Sequence, residues 1–263
     1  MYCDLADGRK VFYVVKGNPE GKPVLFLNGL SQSTAVWTGL SSMLEKDYKI
    51  ILMDFVYQGQ SDKTGEGRSL SQHADDVVSL MDLLDLRRVN LTAISFGSIV
   101  AQNILIRHTD RIEKIVLLSS YEKTTARFRE IDKLLHQALE LGGLKHMVDV
   151  LYPLVLGPAF FEAPPLPIDQ LKELGLAIND GQAIKKLMIA LLAEGDYSSQ
   201  LKKIDVPTLV AHGEHDFLCL LEMGKDLAQV IPNSKFEIVS GVGHTLNIEA
   251  IPQITTILSD FFN

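Results

Sequence analysis

Two cysteines occur in 263 residues, Cys3 and Cys219. They stand far apart and form no CxxC, so a disulfide framework is not expected and a reducing compartment suits the chain. Basic residues are in deficit: 25 Lys and Arg face 33 Asp and Glu, a formal charge of −8. A nucleic-acid partner wants a basic footprint, and anionic lipid repels an acidic surface. Polar residues interrupt every apolar run well before the length of a membrane span. The opening "MYCDLADGRK" lacks a basic start followed by an apolar stretch, so no signal peptide is read and a cytoplasmic protein is expected. No internal repeat or low-complexity tract is visible. "GEG" and "GVG" lack the spacing of a phosphate loop, and "HGEHD" (212–216) is not the H-E-x-x-H zinc pattern. Neither a metal nor a cofactor is expected.

What is present is apolar: 46% of residues, ample for a buried core. The length suits one large α/β domain carrying an insertion. "RKVFYVVKG" (9–17) has the β-branched and aromatic content of a strand. "PVLFLNG" (23–29), "KIILMDF" (49–55), "VNLTAIS" (89–95), "EKIVLLSS" (113–120) and "PTLVAHG" (207–213) are short apolar runs. Such runs suit strands covered on both faces of a parallel sheet. Helical patterns lie between them. In "SLSQHADDVVSLMDLLD" (69–85), Val77, Leu80, Met81 and Leu84 recur at helical spacing, with Ser69 or Ser71 as cap. The alternation predicts a mostly parallel, doubly wound sheet with right-handed crossovers.

Residues 121–200 break the rhythm with helical patterns and loops but no strand, divided by "PAFFEAPPLP" (158–167). The expected organisation is a core of residues 1–120 and 201–263 with a helical cap, or lid, of residues 121–200. The rhythm resumes with a strand at 207–213, a helix near 220–230, a strand at 235–241 and a helix from about Asn247 to Phe262.

One serine, Ser95, stands where a strand hands over to a helix, in Ala93-Ile94-Ser95-Phe96-Gly97. A sharp turn there lifts a side chain clear of the sheet edge, and crowding demands small residues two positions either side, hence G-x-S-x-G. Ala93 departs from the strict motif but is the next smallest residue. The bland alternative is that Ser95 merely caps the helix. A serine hydroxyl becomes a useful nucleophile only beside a base. "LVAHGEHDF" places Asp216 beyond a later strand, and "SGVGHTLNIE" places His244 beyond the next. Both fall on the same sheet edge as Ser95, where ligands bind in open α/β sheets.

With these residues the chain resembles the α/β-hydrolase family over essentially its full length. The matching segments are "DGRKVFYVVKG", "LNG" (27–29), "MDFVYQGQSD" (53–62), "ISFGS" (94–98), "GEHD" (213–216) and "GVGHTLNIEAIP" (241–252). The resemblance implies an α/β-hydrolase fold with a helical lid. It implies Ser95 as nucleophile, His244 as base and Asp216 as orienting acid. The backbone amides of Leu30 and Phe96 would form the oxyanion hole. Glu214 is the alternative acid, His212 and His215 read as ordinary loop histidines, and Asp54 as the fastener of the turn containing Gly59. A serine disfavours the halide displacement of related dehalogenases, which use a carboxylate there.

Two departures stand out: Asn28-Gly29 where many members have His-Gly, and "YQGQS" (57–61) where a basic, glycine-rich turn is common. Asn28 either binds its own loop or meets a polar group on the substrate. "LNGLSQSTAVW", "DFVYQGQS" and Phe96 are similar to a branch of bacterial 3-hydroxyacyl acyltransferases and transacylases, whose partners are acyl carrier protein or coenzyme A. Phe160, Phe161, Met188 and Tyr197 are candidates for the wall of an apolar acyl pocket, against the alternative of lid core. Lys123, Arg127, Arg129 and Lys133 would suit a phosphopantetheine or an acidic carrier. Glu122, Glu130 and Asp132 are interspersed among them, which reads better as a mixed, solvated helix face.

The implied function is a cofactor-free serine hydrolase that cleaves a hydrophobic carboxylic ester or acyl thioester through an acyl-serine. An acyltransferase differs only in what attacks the acyl group next. A ligand receptor that keeps the triad without turnover, and C–C cleavage on the same triad, are the remaining alternatives.

Overall fold

The apolar runs assemble into one eight-stranded sheet in the computed structural model, which describes residues 1–193 and 195–263. The strands are β1 (Tyr2–Asp4), β2 (Lys10–Gly17), β3 (Lys22–Leu27), β4 (Tyr48–Met53), β5 (Val89–Ile94), β6 (Ile112–Leu118), β7 (Thr208–Gly213) and β8 (Ser234–Val239). Their spatial order is β1-β2-β4-β3-β5-β6-β7-β8. β1 and β2 run antiparallel to their neighbours, and the other pairings are parallel. β5 and β7 are buried at every position, as strands covered on both faces must be. β8, at the edge, leaves most of its residues at least partly exposed. β1 is the one strand not anticipated; three residues are too few to show an alternation.

The helices are α1 (Thr38–Leu44), α2 (Leu70–Leu83), α3 (Phe96–Arg107), α4 (Ala126–Val155), α5 (Pro158–Glu162), α6 (Ile168–Ile178), α7 (Gly181–Leu192), α8 (Ser198–Leu201), α9 (Leu221–Val230), α10 (Leu246–Glu249) and α11 (Ile251–Phe262). The strand period of two sorts side chains between two cores. Val24 and Phe26 of β3 pack with Leu40 and Leu44 of α1 and with Ile254, Leu258 and Phe262 of α11. Leu25 and Leu27 pack on the other face with residues of α2, α3 and α9. α2 starts at a capping box: Gln72 N donates to Ser69 Oγ at 3.2 Å and Ser69 N to Gln72 Oε1 at 2.9 Å. The helix expected from Asn247 to Phe262 is two, because Ala250 leaves helical geometry and Pro252 opens α11.

Between β6 and β7 the described residues form no strand, only the helices α4 to α8 and the turns that join them. α4 is kinked at Gly143, whose φ of 67° has no place in a right-handed helix. No helix among the described residues is long and apolar enough to cross a membrane.

His73 of α2 is buried edge-on against the rings of Phe55 and Phe96, at 5.5 and 5.6 Å, and neither ring nitrogen makes a hydrogen bond among the described residues, Asp76 Oδ2 standing 3.9 Å from Nδ1. Burial first, then the nearby Arg68 charge, lowers its pKa from 6.5 to about 3. The unfolded chain therefore binds a proton that the native state refuses. The neutral ring's contribution is intact above about pH 6.5 and is lost as pH falls toward about 3. Measured by urea unfolding, the stability of His73→Phe relative to the parent should rise by about 1.4 kcal/mol per pH unit between about pH 6 and pH 4. An unchanged difference across that range would mean the imidazole is protonated in place.

Candidate active site

Ser95 follows β5 and precedes α3 with φ 52° and ψ −119°, a conformation L residues rarely take. Such geometry costs about 1–3 kcal/mol and persists only where the surroundings enforce it. Here Ser95 N donates to Leu118 O at 3.0 Å, and Ser98 Oγ donates to Ala93 O at 2.8 Å. Gly97 lets the turn pass close to β3: a Cβ there would lie 2.6 Å from Asn28 O. From Val89 to Leu105, Ser95 is the one residue that is not buried. Its hydroxyl caps nothing, so the bland N-cap reading does not hold.

His244 lies in the loop after β8 and Asp216 in the loop after β7. His244 Nδ1 is 2.7 Å from Asp216 Oδ2. The other carboxyl oxygen accepts from Leu218 N at 3.0 Å and Cys219 N at 2.8 Å. A carboxylate only accepts, so Nδ1 carries the proton and Nε2 of the neutral ring keeps its lone pair. Nε2 is buried and makes no hydrogen bond among the described residues, to Ser95 or any other group. Ser95 and His244 line the same cavity. Glu214 turns away and accepts from Ser240 Oγ at 2.5 Å and Gly241 N at 2.9 Å.

The His244 loop is fastened from several sides. Its amide donates to Val155 O and its carbonyl accepts from Ser119 Oγ, both at 2.8 Å. Glu249 accepts from Gly157 N at 2.8 Å, Gly243 N at 3.1 Å and Thr245 Oγ1 at 2.7 Å, tying the loop to the end of α4. Gly213 admits the loop against β7: a Cβ there would lie 1.9 Å from Gly243 O. His212 is a strand residue, not a loop residue. It is buried with Nε2 3.8 Å from Asp216 Oδ2, and burial lowers its pKa to about 4, so it stays neutral.

The Leu30 and Phe96 amides have no acceptor among the described residues, and both residues border the Ser95 cavity. The loop carrying Leu30 is held by Gln58, which donates to Gly29 O at 2.7 Å and Leu30 O at 2.9 Å, and by Gln32, which accepts from Gly29 N at 3.0 Å. Asn28 is fully buried and faces this scaffold. Its amide donates to Met53 O at 2.9 Å and its oxygen accepts from Trp37 Nε1 at 2.8 Å. Asp54 accepts from Thr34 N at 2.6 Å and Gln60 N at 2.9 Å, and a Cβ on Gly59 would strike its carboxylate. Asp54 thus fastens the turn, and burial raises its pKa.

The cavity at Ser95 measures about 80 Å³, walled by Phe128, Ile131, Leu135, Leu151, Val155 and Leu191 on the helical side. A wider one of about 420 Å³ shares Ser31, Gln32, Leu151, Val155 and Thr245 with it and extends under α6. Phe160 lines the wider one. The other three aromatic or sulfur-bearing candidates are elsewhere. Met188 is fully buried in the core, Phe161 faces outward, and Tyr197 accepts from Asn103 Nδ2 at 2.8 Å. Met188 lies on the buried face of α7, which packs into the core and reaches the cavity only through Leu191. The basic residues of α4's start are engaged: Arg127 donates to Phe217 O at 2.5 Å and Lys133 pairs with Glu130 at 2.6 Å. Asp132, read as part of a solvated face, is instead buried in the cavity wall. Gln58, Gln32, Glu249 and Asp132 are the polar residues of the site that sequence reasoning missed.

Fold and site together define a class. The profile of the alpha/beta hydrolase fold matches residues 22–251, and the chain belongs to that family of enzymes. A non-heme chloroperoxidase of Kitasatospora aureofaciens is 30% identical over 254 residues, 92% of this chain and 91% of its own. A 3-oxoadipate enol-lactonase of Acinetobacter baylyi is 25% identical, covering 96% of this chain and 93% of its own. Among solved structures, the alpha/beta hydrolase MGS-M2 from a deep-sea metagenome superposes with a TM-score of 0.91 at 20% identity, over 100% of this chain and 97% of that one.

Proposed function

We propose that this chain is a serine hydrolase that cleaves the ester of a hydrophobic acyl group through an acyl-Ser95 intermediate, with residues 121–200 as its lid. The observation that carries this reading is the Asp216–His244 pair at 2.7 Å, with His244 Nε2 free of hydrogen bonds among the described residues and His244 lining the same cavity as the partly exposed Ser95. Ser95 Oγ attacks the ester carbonyl while its proton passes to His244 Nε2. That step needs the Ser95–His244 bond to close when substrate enters, as such bonds commonly do. The tetrahedral oxyanion sits between the Leu30 and Phe96 amides, each worth about 3 kcal/mol. Asp216 stabilises the imidazolium, which returns the proton to the departing alcohol. Water then attacks the acyl-enzyme by the same route in reverse.

The smaller cavity suits the acyl group and the wider apolar one the alcohol. Asn28, buried in its own hydrogen bonds, has the role of holding the loop rather than the substrate. The buried free thiols Cys3 and Cys219 suit a reducing, cytoplasmic setting. Transfer to an alcohol or thiol, with coenzyme A or a carrier protein as donor, would use the same acyl-Ser95.

A panel of p-nitrophenyl esters and acyl thioesters of graded length tests the proposal. From acetate upward, kcat/KM should rise up to about fourfold per added methylene, following about 0.8 kcal/mol per buried CH₂, until the cavity is full and then fall. No turnover across the panel would contradict the reading. Adding alcohols, thiols or hydrogen peroxide while products are identified separates hydrolysis from transfer.

A further inference from the structure

α6 carries an apolar stripe at Leu171, Leu174, Gly175 and Ile178, the three-and-four spacing of one helix face. Such a stripe ordinarily packs on a core. Here none of its residues is buried, and all four border the wider cavity of about 420 Å³. Polar ties hold the helix in place instead: Lys172 pairs with Asp149 at 2.6 Å, and Asn179 Nδ2 donates to Ser31 O at 3.0 Å. Gly175 lies inside the helix, where glycine is the least favoured residue after proline. Neither usual reason for a glycine applies. Its φ is not positive, and a Cβ there would come no nearer than 3.6 Å to a neighbour, Tyr152 Oη. What the missing side chain leaves is room in the cavity.

The cavity falls within the roughly 300–1,000 Å³ of small-molecule pockets. Among the described residues around it none is charged. It shares Ser31, Gln32, Leu151, Val155 and Thr245 with the Ser95 cavity, and Thr245 follows His244 in the chain. His244 must hand its proton to the leaving oxygen, so the group beyond that oxygen belongs on the His244 side. We propose that the space under α6 seats the leaving group, that Gly175 is the specificity-determining residue that keeps it open, and that the substrates are esters of bulky, uncharged, apolar alcohols. This rests on the ester-hydrolase reading above. It disfavours coenzyme A thioesters, whose phosphates find no cation in that wall. With the alcohol seated, the stripe of α6 gains the apolar contacts it lacks.

The test follows acid release from two sets of esters. One set keeps a butyryl group and varies the alcohol from methyl to octyl, with 6-hydroxyhexanoate as a charged member. The other keeps methanol and lengthens the acyl chain. In the wild type kcat/KM should rise up to about fourfold per methylene of alcohol, reaching about 100-fold at hexyl, and the charged member should lose most of that gain. Gly175→Leu, a better helix former, should lower the hexyl-to-methyl ratio tenfold or more. It should leave the slope of the acyl series as it was, which general damage to the lid would not do. Gly175→Ala should fall between and serves if the leucine variant does not fold. The proposal is overturned if the wild type is indifferent to the alcohol, if the charged member does as well as hexyl, or if the folded variant keeps the wild-type ratio. Turnover of methyl butyrate leaves the hydrolase reading standing in those events, whereas no turnover of any ester removes both.

Discussion

Ser95→Ala lowers ester turnover about 10⁶-fold, to the residue of rate that binding and the amide donors supply alone. The size follows from what is removed. The alanine keeps the fold, since Ser95 Oγ makes no hydrogen bond among the described residues and the turn is held by Ser98 and by the Ser95 amide. The variant should therefore unfold at the parent's midpoint while losing the acylation step. Stopped assays at high enzyme concentration, with the thermal midpoint measured alongside, check both halves. Full activity in Ser95→Ala would place the chemistry elsewhere.

Asp216→Asn should cost about 10⁴ in kcat while leaving KM within a small factor. Asp216 Oδ2 fixes the proton on His244 Nδ1, and Oδ1 is already committed to the Leu218 and Cys219 amides. An asparagine that keeps its carbonyl on those two amides must present its NH₂ to Nδ1. The imidazole then turns its lone pair toward the new side-chain amide and its proton toward Ser95, the wrong tautomer for a base. His212 does not rescue the variant, because it is buried, neutral and 3.8 Å from the carboxylate. A loss of less than about tenfold would show that His244 does not depend on Asp216 for its tautomer.

The strands were readable because the sheet is covered on both faces, so each of β3 to β7 carries a short, mostly apolar run. Their ends then place Ser95, Asp216 and His244 on one edge before any coordinates are known. The scaffold around them was harder to read. Asn28 and Gln58, one from each of the two segments that depart from the family's usual pattern, prove to be partners: Asn28 Nδ2 lies 3.3 Å from Gln58 Oε1, and Gln58 holds the Leu30 loop. Nothing in either segment alone shows that the one answers the other, since the bond spans thirty positions. Glu249 lies within a segment that matched the family, yet its work is to fasten backbone amides in three places. Periodicity could not have assigned the lid residues either. A helical stripe tells that Met188 and Phe128 are buried, but not that one meets the core and the other the cavity. Asp132 misled for a physical reason: among Lys and Glu neighbours a carboxylate reads as solvated, and only the rotation of α4 puts it inside.

The central claim is that His244 activates the hydroxyl of Ser95. Fluorophosphonate labelling followed by peptide mass mapping tests it most directly. The native protein should carry one adduct, on Ser95, formed rapidly, and His244→Ala should label far more slowly under the same conditions. An unlabelled native protein, an adduct on a different residue, or equal labelling rates with and without the imidazole would contradict the account.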